Sequence, residues 1–139
     1  MASSVLIRPL ERLPGFRRRL RITPAVHRVQ SEVEDDYHLM SVIVHHDGAV
    51  ATTIESVMRR APWTTCPGAP AQLAQTFTGV ALNAFAARGE KQANCTHLHD
   101  LAVLAAGHAF DAAPVVYDML VSDPVDGKRR GCFAGPICS

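Results

Sequence analysis

From residue 16 to residue 60 the polar and apolar positions alternate with the period of two expected of half-buried strands. Phe16, Arg18, Leu20 and Ile22 share one face of a predicted strand, and Arg17, Arg19 and Arg21 share the other. A strand that carries so many cations into solvent is expected at a sheet edge. Next, Val26, Arg28, Gln30 and Glu32 oppose His27, Val29, Ser31 and Val33. Asp35-Asp36 interrupts the pattern, and Tyr37 to His46 reads as a strand rich in β-formers at Ser41-Val42-Ile43-Val44. Asp47-Gly48 predicts a tight turn, because both residues tolerate positive φ. Ala49 to Arg60 returns as the partner strand, with Val50, Thr52, Ile54, Ser56 and Met58 on one face. Residues 37–60 therefore form a predicted hairpin.

Beyond Pro62 the period changes. Trp63-Thr64-Thr65-Cys66-Pro67-Gly68 reads as a loop, with Pro67 suited to a first helical turn. Ala69 to Thr78 is a predicted short helix, with Leu73 and Phe77 four apart and Gly79 ending it. Leu82 to Ala87 predicts a further helical turn, and Arg88 to Ala93 a polar loop. The clearest helix follows, with Thr96 as its N-cap, a stripe of Leu98, Leu101, Leu104 and Ala105, and an end near Phe110. Pro114 prevents its return, Val115 to Val121 reads as a strand, and Asp123 to Gly127 as a turn. The fold class that follows is α+β: an antiparallel, hairpin-rich sheet with two or three helices packed on one face. Residues 16–127 form one predicted domain, between an irregular arm (1–15) and an atypical tail (128–139).

Composition adds limits. A chain of 139 residues can bury a core without disulfides. The formal net charge of +1 supplies no electrostatic reason to expect nucleic acid as a partner. No apolar run approaches the roughly 18 residues that a membrane span needs. No basic segment precedes a long apolar stretch at the N-terminus, so the expected location is the cytoplasm, with reduced thiols. Of the four cysteines, Cys132 and Cys138 lie near the end of the chain, and Cys66 and Cys95 lie among polar residues in its middle.

Those two cysteines carry the candidate chemistry. Cys95 opens the helix in Asn94-Cys95-Thr96-His97-Leu98-His99-Asp100, where the dipole and free N–H groups favour a thiolate. Cys66 also precedes a predicted helix. Thiols at two helix openings with imidazoles alongside are ligands that zinc or iron prefers, which makes Cys66, Cys95, His97 and His99 candidate metal ligands. His97 and His99 are two apart, so they serve as alternatives in a regular helix. Catalysis without a metal would use Cys95 as nucleophile with His99 as its base. Glu34-Asp35-Asp36 is a solvated acidic turn or a source of a general base, with Asp36 and His38 sharing a strand face. His108 reads as a satisfied, partly buried histidine, and one of His45-His46 as solvent-facing beside the turn.

Several stretches together resemble the bacterial domain-of-unknown-function family 2889. They are Phe16-Arg17-Arg18-Arg19, His45-His46-Asp47-Gly48, Arg60 to Ala69, Asn94 to Ala102, and Ser122-Asp123-Pro124. The resemblance covers residues 14–127 and implies no activity. The chain departs from that family's pattern after Gly127, where family members continue with more strands. The layout is also similar to NifU-like iron–sulfur scaffold proteins. That likeness would make Cys66 and Cys95 ligands, completed by His97 or His99, although the early hairpin cysteine of that layout is missing here.

Three functions are compatible with these features. One is a metal-dependent protein holding zinc or iron, with a small-molecule substrate. Another is a metal-free isomerase or lyase using Cys95 or a histidine. The third is a non-catalytic module that forms a homodimer through edge strands.

Overall fold

The computed structural model describes residues 14–61 and 68–122, and the backbone of Gly131–Ala134. Within them the fold is α+β. An antiparallel sheet is built from β1 (Gly15–Ala25), β2 (Arg28–Asp35), β3 (Leu39–His46), β4 (Ala51–Arg60), β5 (Val115–Ser122) and β6 (Gly131–Ala134). Its spatial order is β4-β3-β2-β1-β5-β6. The helices are α1 (Ala69–Phe77), the short α2 (Phe85–Arg88) and α3 (Thr96–Gly107), joined by 3₁₀ turns at Leu82–Ala84 and Lys91–Ala93. No helix among the described residues is long and apolar enough to cross a membrane.

The alternation in β1 and β2 does what its period requires. Ile22, Val29, Ser31 and Val33 are buried, whereas Arg17, Arg19 and Arg21 are exposed. The expectation that β1 is an edge strand is corrected, because β1 lies between β2 and β5. Its cations are accommodated by carboxylates on neighbouring strands: Arg19 pairs with Asp118 and Arg21 approaches Glu32. In β4 the predicted face is also corrected. His45 pairs with Thr53 and His46 with Ala51, so Thr52 is an inserted bulge residue. The bulge turns Ala51 inward beside Ile54 and leaves Thr52 exposed. The tail after Gly127 includes β6, which pairs with β5 from Gly131 to Ala134.

Helix α1 buries Leu73 and Phe77, as their spacing requires. Pro70 occupies its first turn; the expectation for Pro67 lies outside the described residues. Gly79, at φ 84°, ends the segment in a conformation that favours glycine. In α3 the N-cap is Cys95, one residue earlier than expected, and its side chain makes no capping bond. The buried stripe is Leu98, Leu101, Ala102 and Ala105, with Leu104 only half-buried. The small alanines let α3 lie close across β2 and β3. There the buried Ser31 Oγ donates a 2.6 Å hydrogen bond to the Leu101 carbonyl.

Candidate functional site

The site begins with a turn. Strands β2 and β3 are joined through Asp36, Tyr37 and His38, and the Asp35 N–H donates to the His38 carbonyl at 2.9 Å. Asp35 Oδ1 accepts from the Tyr37 and His38 amides at 2.8 and 2.7 Å. An aspartate suits this position because its short carboxylate can bond amides two and three residues on. The same carboxylate lies 2.9 Å from Nδ1 of His38 and accepts from Arg18 Nε at 2.8 Å. Arg60 completes the turn, donating to the Asp35 carbonyl at 2.6 Å.

The Asp35 side chain is fully buried and that of His38 nearly so. Burial pushes the Asp35 pKa up, but the His38 ring, the Tyr37 amide, Arg18 and the His38 amide outweigh it and hold the carboxyl below its ordinary range. An ionised carboxylate only accepts hydrogen bonds, so His38 presents an N–H to it at Nδ1. Helix α3 brings His97 onto this ring, with centroids 4.0 Å apart and planes tilted by 34°. Burial lowers the His97 pKa, and the nearby His38 and Arg18 lower it further against Asp35 and Asp100. His97 is therefore neutral at pH 7.

The expected site residues do not all meet. His97 joins the β2–β3 turn, but His99 faces the other way. Its ring packs on Phe77, and its Nε2 donates to the Gly89 carbonyl at 3.0 Å. Its Nδ1 is buried without a hydrogen-bond partner. Asp36 is exposed in the turn; its neighbour Asp35 is the buried carboxylate instead. Cys95 is a half-buried free thiol packed against the core. Cys66 lies outside the described residues. Among the described residues no group of three or more His, Cys, Asp or Glu side chains is arranged to hold a metal ion.

Arg18 and Arg60 were not expected in a site. Arg18 was legible only as an inward position of β1, and Arg60 only as the end of β4. The Asp35-x-x-His38 spacing was the available signal, because a tight turn between them brings the two side chains together. His108 is satisfied as expected, bonded to Asp111 at 2.6 Å and facing the Tyr117 hydroxyl at 3.3 Å. His46, beside the Asp47 turn, is buried.

No family model matches the chain, and neither the curated proteins nor the solved structures contain a significant match.

Proposed function

We propose that Arg18, Asp35, His38 and His97 form a proton-transfer site for a small anionic molecule, acting as an isomerase or lyase. The observation that carries this reading is the Asp35–His38 bond, which orients the imidazole and holds an N–H at its Nδ1. His38 would be the general base, accepting a substrate proton at Nε2, and Asp35 would stabilise the imidazolium that forms. The His38 imidazolium would return the proton to the isomerised or cleaved substrate, and His97, neutral and against the same ring, would hydrogen-bond it. The arginines supply the argument for an anion. Arg18 bonds the Asp35 carboxylate and Arg60 the Asp35 backbone carbonyl, so two cations lie at a turn with one buried carboxylate. A negatively charged substrate group would balance that excess.

Solvent deuterium exchange tests this without a defined substrate. The protein is incubated in deuterated water with a mixture of small carboxylic and phosphorylated compounds, and mass spectrometry reads deuterium gained at carbon. The wild type is expected to label at least one compound. His38→Gln and Asp35→Asn are expected to slow that labelling by roughly 100-fold or more. Absence of labelling by the wild type overturns the proposal.

One feature of the geometry favours a second reading. A carboxylate holding one imidazole nitrogen is also how metal-ligating histidines are oriented. His38 and His97 would then be ligands to zinc or iron, with any further ligand supplied from outside the described residues, where Cys66 lies. The likeness in layout to iron–sulfur scaffolds belongs to this reading, with His38 in the hairpin where the layout lacks a cysteine. Two cations beside the site disfavour it. Stoichiometric zinc or iron in untagged protein, lost in His38→Ala, would establish it; a metal-free protein unaffected by chelators would remove it.

A further inference from the structure

We propose that the free edge of β4 pairs with the β4 of a second copy of this chain, antiparallel and with its two-fold axis at Val57. Strand β4 ends the sheet; its outer edge is bonded at Ala51 to the Gly79 and Val80 backbone, and from Thr53 onward it has no strand partner among the described residues. Such an edge is a template for another strand. Bulges at Thr52 and Arg59 bracket a regular stretch from Thr53 to Met58. Its outer face presents Thr53, Glu55, Val57 and then Arg59, all exposed. Val57 is an exposed apolar residue, 45% accessible.

Charge complementarity selects both the occupant and the register. In an antiparallel pair, directly opposed residues share a face. With the two-fold axis at Val57, the valines meet, and Glu55 of each copy faces Arg59 of the other. Centring the axis on Glu55 instead opposes two glutamates, and centring it on Arg59 opposes two arginines. Centring on Ser56 or Met58 leaves neither charge directly opposite its complement. The Val57 register alone buries an apolar contact between two direct ion pairs, and it is self-complementary as a two-fold interface must be. Glu55 is available for this: its intramolecular partner is His45 at 3.4 Å, through one carboxylate oxygen, and its side chain is 58% exposed.

Sedimentation velocity of the full chain over a concentration series tests the pairing. The wild type is expected to dimerise. Glu55→Arg and Arg59→Glu, each placing like charges opposite one another twice, should weaken the dimer roughly tenfold. The double variant Glu55→Arg/Arg59→Glu restores unlike pairs and should recover dimerisation, which a variant damaged in folding would not do. A wild type that stays monomeric overturns the proposal. So does a dimer indifferent to the single swaps, or a double variant no better than either single one.

Discussion

Asp35 and His38 lie 2.9 Å apart at the ends of one tight turn, and the aspartate side chain has no exposure to water. The carboxylate accepts from two amides, an imidazole and a guanidinium, so its charge is matched on every side. That network makes the turn both a structural lock and the orienting half of the proposed site.

Asp35→Asn should therefore destabilise the protein at pH 7 by about 2–3 kcal/mol, because Arg18 loses its charged partner in a half-buried position. The same variant should change the acid limb. A carboxyl held below its ordinary pKa contributes stability that is complete above about pH 4 and is lost as pH falls through the lower folded value. Urea unfolding between pH 2.5 and 6 should show a smaller pH dependence in Asp35→Asn than in the wild type. Equal slopes would remove Asp35 as the cause.

A separate loss is expected at higher pH. His46 and His97 are both held below the ordinary histidine value, chiefly by burial. For His46 the nearby His27 and His45 add to burial, against Asp47. Each ring takes up a proton more readily when unfolded, so stability falls as pH drops through about 6.5. The Gly48 amide donates to His46 Nδ1, which places the ring proton on the buried, unpartnered Nε2. His46→Phe removes that orphan and one titration together. Its thermal midpoint should decline less than that of the wild type between pH 7 and 5; a parallel decline would count against the assignment.

Phe77 and Phe85 stack at 4.4 Å, and both are essentially inaccessible to water. Phe77 also carries the ring of His99. Phe77→Ala should cost about 3–5 kcal/mol in chemical denaturation, as expected for a large cavity in a packed core. Ser31→Ala should cost about 1–2 kcal/mol, by leaving the Leu101 carbonyl without its cross-layer donor.

Cys95 offers a test that separates structure from chemistry. It occupies the N-cap of α3 without a side-chain capping bond. Serine caps helices well, so Cys95→Ser should hold or raise stability, by up to about 1 kcal/mol. If the Asp35–His38 pair carries proton transfer, deuterium labelling should survive this change. A folded Cys95→Ser protein without labelling would instead make the thiol the reacting group.

The alternation of Phe16, Arg18, Leu20 and Ile22, the turn at Asp47-Gly48 and the spacing of Leu73 and Phe77 were legible because each depends on local geometry alone. So was the divergence of His97 and His99, since two residues along a helix turn a side chain by roughly 200°. What the sequence determined by itself was therefore most of the elements, the inward faces of β1, β2 and α1, and the fact that only one of these histidines could join a given site. Which one joined was decided by tertiary structure, when α3 docked across β2 and β3 and brought His97 to His38. Docking and hairpin register likewise buried Asp35 and left Asp36 in water, though the two are neighbours with the same chemistry. The position of β1 inside the sheet was decided the same way, because strand order depends on β5, far along the chain beyond all three helices. Local patterns record which face of an element is apolar; they do not record which distant element will cover it.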